Sequence, residues 1–340
     1  MTEHRPGESM RAEIDQQPAV FAGVMSRRGD VAKVGSLIAA RRPRFALFAA
    51  RGSSDHAALY AKYLTEVLLK LPAGLVSPST TTLYRAEPDL TDVLYVTVSQ
   101  SGGSPDLVEA TLAARARGAL TVAVTNTADS PLNEAAEFSV DVGAGPELAV
   151  AATKTYSATL LTLYLLVDAI RGQDGVAAHG IDEIAARALA AEGVEAAVAR
   201  MRFADWVVCT GRGFSSATAA EAALKLAETS YVSARAYSGA DLLHGPIAAL
   251  DSETSVLAIT SVGAGGDAMA EVIDVVRRSG ADITTVGSAF GSAIALPRTA
   301  EEVAPIIEIL PLQRLALELS LARGRDPDHP RGLSKITKTR

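Results

Sequence analysis

The hexad Ser99-Gln100-Ser101-Gly102-Gly103-Ser104 sets three hydroxyls, one amide and two glycines between an apolar run and a helix start. The run Val93-Leu94-Tyr95-Val96-Thr97-Val98 reads as a buried strand, and Pro105-Asp106-Leu107-Val108-Glu109-Ala110 reads as the first turn and a half of a helix. Pro is tolerated at the first helical position and Ser104 is a good N-cap residue, so the helix start is well marked. Free backbone N–H groups and a helix dipole then point into the loop, an environment for a phosphate with hydroxyl donors in place of a Lys. An ordinary Ser/Gly turn with a cap reads the same loop equally well.

Four further residues could move protons or stabilise charge. Lys225 and Glu228 stand three apart on an expected helix and share a face. Such a pair is either a base beside a cation or an exposed ion pair worth a few tenths of a kcal/mol, and the spacing alone favours the ion pair. His244, in Leu242-Leu243-His244-Gly245-Pro246, lies between an apolar pair and a turn, where an imidazole can relay a proton near neutral pH. Lys335 lies in a basic tail that reads as a solvated terminus, although Leu333 and Ile336 on either side favour its packing down. His4, His56 and His179 show no metal-ligand spacing with a second His or a carboxylate cluster, so neither metal nor cofactor is expected.

The elements that must position these residues come in two copies. Phe45 to Ser54 resembles Trp206 to Ser215, Val93 to Ser99 resembles Ser255 to Ser261, and Gly118 to Val124 resembles Gly280 to Val286, at separations of 161 or 162 residues. Each copy alternates a short apolar strand, a Gly- or Ser-bearing loop and an Ala-rich helix, the mark of a parallel sheet covered by helices on both faces. Right-handed crossovers put all the strand C-termini on one edge, where ligands bind. The copies differ at one loop: opposite Ser99–Ser104 the second has Ser261-Val262-Gly263-Ala264-Gly265-Gly266, with two of the three hydroxyls gone. That asymmetry favours a specialised phosphate site in the first copy. Ahead of the copies, Met10 to Arg28 reads as one helix and Ser36 to Arg42 as a second, short one.

With 48% hydrophobic and 21% charged residues, 340 positions hold ample core for two domains. A net charge of −7 argues against a nucleic-acid surface. The single Cys209 excludes a disulfide framework and suits a reducing cytoplasm. The polar first thirty residues show no signal peptide, and the apolar stretch Ala158–Ile170 is too short to span a bilayer, so a soluble cytoplasmic protein is expected.

Taken in order, several segments carry a resemblance: Met10-Arg11-Ala12-Glu13-Ile14-Asp15-Gln16-Gln17-Pro18, Ala50-Arg51-Gly52-Ser53-Ser54, the serine loop and Gly145-Pro146-Glu147-Leu148-Ala149-Val150-Ala151-Ala152-Thr153-Lys154. Glu221-Ala222-Ala223-Leu224-Lys225-Leu226-Ala227-Glu228, His244-Gly245-Pro246 and His329-Pro330-Arg331-Gly332-Leu333-Ser334-Lys335 complete the set. The chain resembles the tandem sugar isomerase (SIS) domain family, in particular the isomerase half of glucosamine-6-phosphate synthase and stand-alone glucosamine-6-phosphate deaminases. The resemblance implies an α/β fold of two tandem doubly wound, flavodoxin-like domains with an N-terminal helix and a C-terminal active-site tail. Its expected divisions are a leader and helix over 1–34, a phosphate-binding domain over 35–181, a helical linker over 182–201, a catalytic domain over 202–325 and a tail over 326–340.

The resemblance further implies that Ser99, Gln100, Ser101 and Ser104 hold a 6-phosphate and that Ser54, Val150 and Ser334 line the sugar. Glu228 then moves a proton between C1 and C2, assisted by Lys225, His244 and Lys335, and the His can come from the neighbouring subunit of a homodimer. Aldose–ketose chemistry needs a ring-opening acid/base, a base over the α-proton and a cation for the developing enolate, and these residue types supply all three. The implied partner is an amino-sugar 6-phosphate, with no nucleic acid and no membrane. Deamination of glucosamine 6-phosphate is the leading expectation. Dehydration of N-acetylglucosamine 6-phosphate, fructosamine-6-phosphate deglycation and a non-catalytic phosphosugar sensor are the alternatives. Arg235 and Asp241 stand where relatives usually carry Glu, Leu243 where a Lys or Arg is common, and Arg51 where the synthase has Cys.

Overall fold

A computed structural model describes residues 5–335 and contains ten strands among them. The chain divides into two compact units. One holds residues 19–147 and 155–179; the other holds 5–18, 148–154 and 180–335.

The first unit is built on β1 (Phe45–Ala49), β2 (Ala73–Leu75), β3 (Val93–Ser99), β4 (Leu120–Thr125) and β5 (Phe138–Asp141). All pairings are parallel, in the order β2-β1-β3-β4-β5. Residues of β4 are buried without exception, and all but the first of β3 are, because helices cover both faces and leave no solvent side to alternate with. The apolar run Ala158–Ile170 lies in a helix that starts four residues earlier, Lys154–Ile170, and its side chains are buried through Ala169.

The second unit repeats the plan with β6 (Trp206–Gly211), β7 (Ser233–Ser238), β8 (Ser255–Ile259), β9 (Asp282–Gly287) and β10 (Ile294–Ala295). Its order, β10-β9-β8-β6-β7, is the first sheet's order read from the opposite edge, and it too is wholly parallel. Both sheets therefore have the flavodoxin-like order with a switch point between the first and third strands of the unit. Val208, Leu242, Val256, Met269, Val272 and Val276 form a core on one face of the second sheet. The helix Ala304–Ala322 packs on the helices Ser215–Ser230, Ile181–Leu189, Val194–Met201 and Glu8–Asp15. The segment read as a linker is thus two helices, broken at Gly193, with buried faces on the second unit.

The amino-terminal region differs from expectation. Three helices, Glu8–Asp15, Gln17–Ser26 and Arg28–Arg41, replace the long and short pair. The third begins well before Ser36 because its contact with β5 outweighs the low helix propensity of Gly29 and Gly35. The first is tied to the tail: the Asp328 carboxylate accepts the Ser9 and Met10 N–H groups at 3.0 and 2.8 Å. Those are first-turn donors that lack intrahelical partners.

Candidate functional site

In the first unit, β1 and β3 are neighbours and the loops leaving their carboxyl ends flank the switch point. The β3 loop turns at Gly102, whose φ of 60° lies in the left-handed region. The Ser99 hydroxyl accepts the Gly102 N–H at 3.2 Å and the Ser101 hydroxyl accepts the Gly103 N–H at 3.3 Å. Ser104 occupies the N-cap position of the helix Pro105–Ala116 with extended backbone. Its hydroxyl makes no capping bond, contrary to its sequence reading as a cap. The ψ of 116° is extended, and the helix begins at the next residue, Pro105.

Gln100 is oriented by a residue to which no role was given from sequence. Its Nε2 donates to Glu147 Oε2 at 3.0 Å, while Glu147 Oε1 accepts the Thr155 N–H at 3.1 Å. The Gln100 carbonyl accepts from the Asn126 N–H at 3.1 Å and from the Thr127 hydroxyl at 3.2 Å. Ser54 sits in the first turn of the helix Ser53–Leu64, on the loop leaving β1. Ser54, Ser99, Gln100, Ser101 and Ser104 therefore share one edge of one sheet.

The matching loop of the second unit is closed by its own chain. The Glu301 carboxylate accepts the Ala264 and Gly265 N–H groups at 3.0 and 2.7 Å, at the start of the helix Ala264–Arg278. Gly263, with φ 141°, leaves no room for a side chain: a Cβ there would stand 2.3 Å from Glu301 Cδ. Where the first unit's helix start has no side-chain cap, the second's holds a carboxylate.

The second unit carries the proton-transfer candidates. On the helix Ser215–Ser230, Lys225 is buried at 1% exposure, with its Nζ on Glu228 Oε2 and 3.5 Å from Glu221 Oε1. Glu221 is fully buried, whereas Glu228 retains 22% of its side-chain surface. The ammonium thus lies between two carboxylates, one sealed and one open. His244 follows the short helix Gly239–Leu243 and is exposed, and its imidazole has no hydrogen bond among the described residues.

Val150 and the tail converge on one segment. Glu13 accepts the Leu148 N–H on one oxygen and the Ala149 N–H on the other at 3.3 Å, and Lys335 Nζ donates to the Ala149 carbonyl at 2.6 Å. Lys154 Nζ donates to Gln16 Oε1 at 2.6 Å, holding the end of that segment to the same amino-terminal region. Lys335 is half-buried, as a packed tail requires, but Leu333 and Ser334 are exposed and Ile336 lies outside the described residues. The described residues contain no cluster of three or more His, Cys, Asp or Glu able to hold a metal, and no helix long and apolar enough to cross a membrane.

The SIS domain model matches residues 41–169 and 201–321, well over half of the sequence and one match per sheet. The chain belongs to the SIS domain family. Glutamine–fructose-6-phosphate aminotransferase (isomerizing) of Methanothermobacter thermautotrophicus is 33% identical over 337 residues, covering 96% of this chain and 56% of the relative. This SIS protein therefore spans just over half the length of the curated relatives it matches. A proposed phosphosugar isomerase from Silicibacter pomeroyi is 35% identical and superposes with a TM-score of 0.86 over 94% of this chain and 99% of that one. Glucosamine-6-phosphate deaminase of Thermotoga maritima, at 22% identity and a TM-score of 0.74, covers 94% of this chain and 99% of its own and shares the fold.

Proposed function

We propose that the chain is an amino-sugar 6-phosphate isomerase that releases ammonia, converting glucosamine 6-phosphate to fructose 6-phosphate. The observation that carries this reading is the buried Lys225 ammonium on the half-open Glu228 carboxylate. A lone surface pair would have both partners in water, where it contributes little. Here the cation is out of water and the carboxylate reaches it, which is what proton transfer beside a developing enolate needs. The likeness to isomerizing and phosphosugar-isomerase relatives agrees with that chemistry.

In this reading Ser99, Gln100, Ser101 and Ser104 take the phosphate, and Ser54, Val150 and Ser334 contact the sugar. His244 passes the ring proton so that the pyranose opens to the aldehyde. Glu228 removes the C2 proton, and Lys225 with Lys335 stabilises the negative charge that moves onto the C1 oxygen. Returning that proton to C1 leaves an imine at C2. Water adds to the imine, the C–N bond breaks, and ammonia departs from the C2 ketone. The exposed imidazole of His244 also fits a homodimer in which it serves the neighbouring subunit.

The test is a coupled assay for ammonia and fructose 6-phosphate with the purified chain and millimolar glucosamine 6-phosphate. Both products should appear in equal amounts. Absence of both would refute the assignment, and loss of water from N-acetylglucosamine 6-phosphate instead would transfer it to the dehydratase reading.

A further inference from the structure

The serine loop brings hydroxyls and backbone donors to a phosphate but no cation. Among the loops leaving the carboxyl ends of β1–β5, Arg51 is the one Lys or Arg in the sequence. Arg27 also reaches this edge, but at β5, where its guanidinium is spent on the Val142 and Gly143 carbonyls. Arg51 leaves β1, the strand next to β3, and its Nε and Nη2 donate to Asp106 Oδ2 at 3.0 and 2.9 Å. Asp106 is the second residue of the helix that the serine loop opens, and its other oxygen accepts the Leu107 N–H at 3.0 Å.

The pair is lopsided. The Asp106 side chain is 2% exposed and that of Arg51 is 46% exposed. A buried carboxylate fixes one edge of the guanidinium, and its Nη1 donates to nothing among the described residues. A planar fork held on one side by a carboxylate and open on the other is suited to a second oxyanion. Half-buried Asp55 lies close enough to feel both His56 and Arg51, although burial pushes its carboxyl up. In a chain of net charge −7, no diffuse positive field makes up the deficit.

We infer that Arg51 is a phosphate-binding residue: its free edge pairs with the anion held by the serine loop, and Asp106 positions it. This rests on the serine loop being the phosphate site. It gives this chain a cation for the phosphate in the place where the synthase has Cys.

The probe is inorganic phosphate, titrated calorimetrically into the full chain at low salt. Removing Arg51 alone would leave Asp106 buried without its guanidinium, so the informative variant is the double substitution Arg51→Gln with Asp106→Asn, compared with Arg51→Lys and Ser101→Ala. Loss of a charge-assisted contact predicts phosphate binding about 10- to 100-fold weaker in the double variant, with a shallower salt dependence. Arg51→Lys should fall between, because an ammonium keeps the charge and loses the fork. If the double variant binds within twofold of the natural chain while Ser101→Ala is weakened, the inference falls and the serine-loop reading stands. If Ser101→Ala also binds unchanged, or the natural chain takes up no phosphate at millimolar concentration, both fall.

Discussion

Replacing Lys225 by Met should separate two roles that Glu228→Gln leaves joined. Lys225 is 1% exposed, Glu221 is fully buried 3.5 Å away, and Glu228 keeps 22% of its surface. Removing the ammonium strands a buried carboxylate, a loss of about 3–5 kcal/mol in comparable buried pairs. Glu228→Gln keeps a polar group at a partly solvated position and leaves Lys225 facing Glu221, so its cost is nearer that of a surface pair, below about 1 kcal/mol. With a urea slope of roughly 2–3 kcal/mol per molar, Lys225→Met should lower the unfolding midpoint by about 1–2.5 M, and Glu228→Gln by less than about 0.5 M. Both variants should abolish ammonia release, so the denaturation curve and the activity assay must be run together. The two sheets can unfold separately, which makes a signal confined to the second unit preferable, and Trp206, the single Trp, provides it. Equal midpoints for the two variants would refute the account of Lys225 as a cation between a sealed and an open carboxylate. Full activity in Glu228→Gln would refute its role as the base.

Two further perturbations test the surroundings. Gly102→Ala should weaken phosphate binding and destabilise the first unit: the residue has φ 60°, and a Cβ would stand 2.0 Å from Ser130 Oγ, the acceptor for the Asn133 N–H. Left-handed strain of about 1–2 kcal/mol and a disturbed cap of about 1 kcal/mol set the scale, and an unchanged melting temperature would contradict it. Glu308 is buried and its carboxyl is pushed up from 4.5, chiefly by burial, despite hydrogen bonds from Ser261, Thr218 and Ser215. A raised folded-state value means the native chain holds the proton more tightly, so this group's stabilisation is complete below about pH 4.5 and is lost as pH rises through the folded value. Natural chain and Glu308→Gln, unfolded in urea at pH 5 and pH 8, should therefore diverge in favour of the variant at pH 8; parallel profiles would reject this.

The repeat, the parallel sheets and the order of loops were legible because buried central strands leave continuous apolar runs. The strand read over Val93–Val98 starts in the structure at Val93 and runs one residue further, through Ser99. Three of the four edge strands, β2, β5 and β10, of three, four and two residues, are too short to carry a pattern and depend on a neighbour already in place. Spacing put Lys225 and Glu228 on one face, but nothing local distinguishes a buried Lys from a solvated one. That difference comes from the helix Ala304–Ala322 packing over the helix that bears them. Glu147, Glu13 and Asp328 escaped notice for the same reason. Their partners, the Gln100 side-chain amide and the Leu148 and Met10 backbone N–H groups, lie 47, 135 and 318 residues away, and such contacts leave no periodic trace.

The loss of hydroxyls from the second copy's loop is only half of the difference between the two copies. A helix start with free N–H groups and no anion would be left dependent on water, and in the second copy Glu301 ends that dependence. With a carboxylate tethered there, hydroxyls at positions 263 and 266, opposite Ser101 and Ser104, have no anion to meet, and Gly263 is required instead to let Glu301 approach. At the first copy's helix start the carboxylate is the helix's own Asp106, which accepts the Leu107 N–H and pairs with the half-exposed Arg51 guanidinium, while Ser104 at the N-cap makes no capping bond. On the proposed reading, the two similar loops meet the same electrostatic demand in two ways, the second with the Glu301 carboxylate and the first with a phosphate.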